Sequence, residues 1–383
     1  MKLTTSRDAL AAALAPLVRI TPSRTSLPIL GHVLLQPMWP DGLNLTATNL
    51  EVAMTRRITA EVQEDGACTV PAATLAEYVD TLQHGLPVTL ELDEKSHRLA
   101  VTCGRSSAHI ATLQAEDFPP MVGDDAAVLM TLPAGLLRSV IGDVEFSAAG
   151  DDSRPVLAGV AIIGRGETYD VAAADGFRLA IRAIDKPLGA PSDLDALIVP
   201  GHALRHVAKV LPTDDEPVAI SVAPNLMKFD VGQTTFVTRL VEGQFPDYTR
   251  VIPQETPLRV VANRLDLVQA VKMARVFGKQ NSEIVRLHVD TETAQVTVSA
   301  SGSEIGDGSS TVELSEILGD PMKVAYNGRY LLDALEHLRG DQVELCCSGA
   351  TTPGLIRPLG EEHDRVLFVI MPMHIAQEAR AAA

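Results

Sequence analysis

Three times along the chain the same short grammar recurs: a strand end, a Pro or Gly, then a helix with a single apolar stripe. TVPAATLAEYVDTL begins at Thr69, IVPGHALRHVAKVL at Ile198 and AYNGRYLLDALEHL at Ala325. In the first copy Leu75, Tyr78, Val79 and Leu82 fall at i, i+3, i+4 and i+7. Leu204, Val207, Ala208 and Leu211 repeat that spacing, as do Leu331, Ala334, Leu335 and Leu338. Residues so spaced share one side of a helix. Leu75 and Leu204 are 129 positions apart, Leu204 and Leu331 127. A period of this size restricts the chain to three similar modules, each with its own core.

Other features keep the same step. EDFPPM around Phe118 and GQFPDY around Phe245 lie 127 positions apart and close the first two modules. Each module also opens on a second apolar stripe: Leu10, Leu14 and Leu17, then Leu136, Val140 and Val144, then Leu267, Val271 and Ala274. Between its two helices each module carries alternating segments such as LNLTATNLEVAMTRRI and YDVAAADGFRLAIRAI, which suit half-buried antiparallel strands. The expected fold class is α+β, three repeated domains over residues 1–125, 126–254 and 255–383, each with antiparallel sheets and two helices. Pro and Asp around Pro119–Asp125 and Ile252–Pro257 mark the joins.

Charge and cysteine content narrow the function. Lys and Arg number 32 against 49 Asp and Glu, a formal charge of −17. A nucleic-acid site must then come from local clustering of the few cations, since phosphate binding rests on Lys and Arg. The four cysteines, Cys68, Cys103, Cys346 and Cys347, form no CxxC pair and no disulfide framework, which points to buried small side chains in a reducing compartment. MKLTTSRDAL holds no apolar stretch of a signal peptide, and no run of about 18 apolar residues follows, so a cytoplasmic protein without membrane contact is expected. No GxGxxG, P-loop, HExxH or GxSxG occurs. His202 and His206 sit at i and i+4, but no Cys, Asp or Glu joins them at ligand spacing. Neither an enzyme nor a metal or other cofactor is expected.

Four segments carry a family resemblance: SLPILGHVLL after Arg24, AADGFRLA at Ala173–Ala180, VEGQFPDYTRVIP at Val241–Pro253 and FVIMPM at Phe368–Met373. In order and spacing they resemble bacterial DNA sliding clamps, the β subunits of DNA polymerase III. The resemblance implies clamp-type domains forming half of a six-domain ring, closed as a head-to-tail homodimer around sequence-independent duplex DNA. It also implies that the replicative polymerase, the clamp loader and other proteins with a clamp-binding motif dock through a peptide cleft. A tandem-domain scaffold that does not encircle DNA is the alternative, favoured by the acidic total.

Carried over position by position, the cleft comprises Leu157, Ala174, Gly176, Phe177, Arg178, Leu179, Pro246, Arg250 and Val251. Val369, Ile370, Met371, Pro372 and Met373 complete it, with Asn327 and Tyr330 alongside. Ala174 and Phe177 stand where the family more often has Thr and His, shifting the cleft toward apolar character. The DNA surface comprises His202, Arg205, His206 and Lys209 on one helical face and Arg264, Lys272, Arg275 and Lys279 on another. Arg24 and Arg154 join them from loops. Glu77 and Asp80 occupy the polar face of the first module's second helix, where relatives often carry cations. The dimer contact falls on Leu82, Ala108 and Ile110 against Val276 and Phe277. The tail, 375–383, extends past the point where relatives typically stop.

Overall fold

The computed structural model describes residues 1–22, 24–120, 126–151, 153–187, 189–279, 282–302 and 305–373. Among these, six α-helices occur, two in each repeat: α1 (Arg7–Val18), α2 (Ala72–Thr81), α3 (Ala134–Val144), α4 (Gly201–Val210), α5 (Arg264–Gly278) and α6 (Gly328–His337). Their stripes are buried as the spacing requires: Leu10, Leu14 and Leu17 in α1, Leu75 and Val79 in α2, Leu204 and Val207 in α4. In α3 Val140 and Val144 are buried as expected, and Leu137 rather than the half-buried Leu136 completes the stripe. Polar caps fix several starts. The Asn263 side chain accepts from the N–H groups of Leu265 and Asp266, and Asn327 from those of Arg329 and Tyr330.

The strands pair antiparallel, and their continuity crosses the repeats. Strands Ala127–Pro133, Pro217–Ala223, Leu226–Val231 and Thr234–Arg239 of the second repeat extend the sheet of the first. The seam is Thr234–Arg239 against Val52–Glu64, with Phe236 opposite Met54. The remaining second-repeat strands, Gly159–Arg165, Thr168–Ala174, Arg178–Asp185 and Leu197–Pro200, extend the sheet of the third repeat. That seam is Arg178–Asp185 against Val366–Ile370, with Ala180 opposite Phe368. Two compact units result. One holds residues 1–137, 187–190 and 206–240; the other holds 138–186, 191–205 and 241–383.

In the second unit a core cluster gathers Ala161, Ala172, Leu179, Ile181, Ile198, Phe245, Tyr248, Cys346, Leu355 and Val369. All four cysteines are buried. Burial pushes the Cys68 and Cys346 thiols up to about 12, so neither is a ready thiolate. Cys346 and Cys347 are adjacent on the strand Gln342–Cys347 and both lie inside, because both faces of that strand are covered. No helix of the described residues is long and apolar enough to cross a membrane.

Gly354, opposite Cys347 in the strand ladder, leaves room for the buried Tyr326 ring: a Cβ there would run into its hydroxyl. Gly354→Ala should therefore destabilise the protein by about 1–3 kcal/mol, the usual range for overpacking. Chemical denaturation measures this, and an unchanged midpoint would contradict the packing described.

Candidate functional site

An apolar concave feature begins at a tight turn. The Asp175 carboxylate accepts from the backbone N–H groups of Phe177 (2.8 Å) and Arg178 (3.0 Å), while Gly176 takes a φ of +94°. That conformation is open to glycine at little cost. The turn throws Phe177 outward, leaving it 57% exposed. The Phe177 carbonyl accepts from Met371 N–H at 2.8 Å, which ties the turn to the segment following the strand Val366–Ile370.

Around the turn lies a cleft of about 160 Å³ lined by Leu157, Ala174, Gly176, Phe177, Arg178, Leu179, Pro246, Val251, Val369 and Met371 together with Phe245, Asp247 and Tyr248. Leu179, Val369, Phe245 and Tyr248 are buried beneath it, while Phe177, Val251 and Met371 stand exposed at its rim. An apolar hollow with few polar groups suits aliphatic or aromatic anchors. Its floor is fixed by hydrogen bonds: the Tyr248 hydroxyl donates to Asp170 at 2.6 Å and accepts from Arg165 at 3.2 Å. Burial first, and then the bond to Asp170, pushes the Tyr248 phenol up to about 12, so it stays a neutral donor.

Arg178 anchors one end. Its guanidinium donates to Asp175 (3.1 Å), Asp333 (2.6 Å) and the Phe146 carbonyl (2.6 Å), and lies 4.5 Å from the Tyr330 ring centroid. Tyr330 is thus a support for Arg178 rather than part of the lining. Five other expected cleft residues also lie off it. Ile370 is buried beneath, Asn327 caps α6, and Pro372 bridges to Tyr326. Arg250 turns back to Asp247 at 2.9 Å. Met373 departs furthest, because its N–H donates to the Ala325 carbonyl at 2.8 Å and it lines a separate basin with Arg286, His288 and Lys323. Arg154, expected at DNA, brings its guanidinium to 3.0 Å from where a Cβ on Gly176 would sit, beside the cleft. Phe245, Asp247 and Tyr248 were missed, although all three belong to the GQFPDY segment whose period was recognised.

The expected cations separate by their partners. Arg205 pairs with Glu145, Lys272 with Glu336 at 2.7 Å, and Arg275 with Glu283 at 2.8 Å. Arg264 turns inward to the carbonyls of Gly340 (2.7 Å) and Leu335 (3.3 Å). The charge expected on α5 is therefore largely answered within the chain, leaving Lys279 exposed at its end; Arg24 and His202 are exposed as well. In the first unit, His206 and Lys209 meet Arg19 and Arg56 around a depression of about 220 Å³. Burial lowers the pKa of Arg56, whose Nη1 donates to the Ala12 carbonyl at 3.0 Å. Among the described residues no carboxylate pairs with Arg19, Arg56 or Lys209. Glu77 and Asp80 are exposed on α2.

The expected dimer residues also divide. Leu82 and Ile110 are buried in the single chain and Ala108 is half-buried. The half-buried Phe277 ring stands where a Cβ on Gly308 would collide with it, whereas Val276 is 59% exposed. The tail, 375–383, lies outside the described residues.

Three family models match in succession. They are the DNA polymerase III beta subunit N-terminal domain over residues 1–122, the central domain over 131–247 and the C-terminal domain over 249–374. The beta sliding clamp of Escherichia coli (strain K12) is 31% identical over 382 residues, covering 98% of this chain and all of that protein. That of Vibrio cholerae serotype O1 is 31% identical over 376 residues, with the same coverage. The crystal structure of the DNA polymerase III subunit beta from Pseudomonas aeruginosa is similar with a TM-score of 0.92 at 29% identity, over 98% of this chain and 100% of that one.

Arg178→Ala should cost about 3 kcal/mol, since removing one partner leaves the mostly buried Asp175 and Asp333 uncompensated. Thermal or urea unfolding tests this. Arg178→Lys should recover only part of the loss, because one ammonium cannot reproduce the fork and the ring stacking together.

Proposed function

The chain belongs to the bacterial β sliding clamp family, the non-catalytic processivity subunits of DNA polymerase III, and on that premise we propose that it acts in the cytoplasm as a head-to-tail homodimeric ring. Each copy contributes three clamp domains, bounded near 1–125, 126–254 and 255–383. Among the described residues the strand Ser106–Ala111 ends its sheet with an unpaired edge, a ready template for a strand of a second copy. Val276 offers apolar surface for the same contact.

The ring encircles duplex DNA without reading its sequence. Arg19, Arg56, His206 and Lys209, gathered around one depression, supply phosphate contacts in the first unit. His202, Arg24 and Lys279 add exposed basic groups elsewhere. Such contacts are weak and salt-sensitive, so retention comes from closure around the strand. The observation that carries the tethering role is the apolar cleft of about 160 Å³ beside Phe177 and Met371. The replicative polymerase, the clamp loader and other motif-bearing proteins use it in turn, and the flexible Met371 adapts to different anchors.

A short peptide with a glutamine followed by aliphatic or aromatic residues should bind at about micromolar strength, roughly −8 kcal/mol. Met371→Ala should abolish that binding while leaving the melting temperature near that of the parent. Unchanged affinity by fluorescence anisotropy would remove the cleft from the reading.

The ring is tested separately. Once loaded onto a nicked circle, the protein should stay bound in moderate salt and leave within minutes of linearisation. Equal retention on circular and linear DNA would mean that contacts, not closure, hold the duplex.

A further inference from the structure

Two residues beyond Met371, the chain enters a second hollow. Met371 forms the cleft rim, Pro372 bridges to Tyr326, and Met373 lines a basin of about 450 Å³ with Arg286, His288, Thr297, Ser299, Lys323 and Thr351. Positions i and i+2 of an extended chain are on the order of 7 Å apart, so one ligand of a few residues spans both hollows. The basin lies on the sheet face of the strands Ile284–Asp290, Gln295–Gly302 and Met322–Asn327. In the ladder His288 stands opposite Lys323 on one side and Thr297 on the other, while Arg286 faces Ala325 and Ser299.

Among the described residues no carboxylate lines the basin, although acidic residues outnumber basic ones in the chain as a whole. Arg286 donates to the Ser301 hydroxyl at 3.2 Å, and among the described residues Lys323 makes no ion pair. Asp290, two positions past His288, is held by the backbone N–H groups of Glu292 (3.0 Å) and Thr293 (3.4 Å) in the turn that follows. The hydroxyls of Thr297, Ser299 and Thr351 add donors suited to carboxylate oxygens.

We infer that this basin receives an acidic flank of the peptides whose apolar anchors occupy the cleft. The inference rests on the cleft reading above and adds to it a second point of recognition, one that selects partners by the charge beside their motif. The segment Met371–Met373 runs from cleft to basin, lining the first with Met371 and the second with Met373, and the basin's charge is complementary to carboxylates and to little else that an extended peptide carries.

The test compares two peptides by fluorescence anisotropy: an anchor motif alone, and the same motif extended on the basin side by three Asp or Glu residues. The extension should tighten binding roughly three- to tenfold at low salt, as expected for a few exposed charge pairs. The gain should fade toward 0.5 M salt, where screening removes most exposed attraction. Arg286→Ala and Lys323→Ala should each erase part of the gain, and the double variant all of it, with binding of the unextended peptide and the melting temperature unchanged. Equal affinity of the two peptides for the parent protein overturns the basin assignment and leaves the cleft intact. Failure of the unextended peptide to bind overturns the cleft itself, and the inference with it. A single-stranded oligonucleotide that loses affinity in the double variant, without any gain from the acidic extension, assigns the basin to nucleic acid instead.

Discussion

Antiparallel pairing across the repeats is the constraint on which this molecule depends. A half-buried strand with an open edge invites another strand, and here the second repeat closes such edges in two directions. Thr234–Arg239 lies against Val52–Glu64, and Arg178–Asp185 against Val366–Ile370. The second of these seams also makes the site. It sets Leu179 opposite Val369 and brings the Gly176 turn beside Met371. The cleft follows from where the sheets join rather than from any loop folding over on its own.

Electrostatics then hold that junction in a single arrangement. Arg178 reaches from a second-repeat strand to Asp333 on α6, and Arg182 four residues on meets Asp143 and Glu362. These are largely buried charges, so each is tolerated because it is answered. The same rule sorts the basic residues of the chain. Those of α5 are mostly neutralised by nearby carboxylates or carbonyls, while among the described residues Arg19 and Lys209 in one unit and Lys323 in the other make no ion pair, and Arg56 donates to the Ala12 carbonyl.

Helical stripes were legible because they are local. Leu204 and Val207 report their burial through spacing alone, and all six helices followed from such patterns. The cleft was not legible that way. Leu157, Leu179, Phe245 and Met371 meet through strand pairings spanning some two hundred positions, and only the family resemblance placed them together. It also brought in Met373, which the bond to Ala325 carries into a different hollow. Cation partners were equally hidden. Helical periodicity put Lys272 and Arg275 on one face but could not see Glu336 on α6 or Glu283 past the end of α5. Arg56 sits in an alternating strand, where nothing local separates it from its exposed neighbour Arg57.

The buried cysteines carry a practical consequence. Cys68, Cys103, Cys346 and Cys347 are all interior, and burial raises the thiol pKa of Cys68, Cys346 and Cys347. The folded chain therefore presents alkylating reagents with almost no thiolate. One cysteine introduced at an exposed position such as Val276 becomes the single reactive handle on the surface. A dye or spin label attached there would report on the exposed face of α5 without first stripping the native thiols from the core.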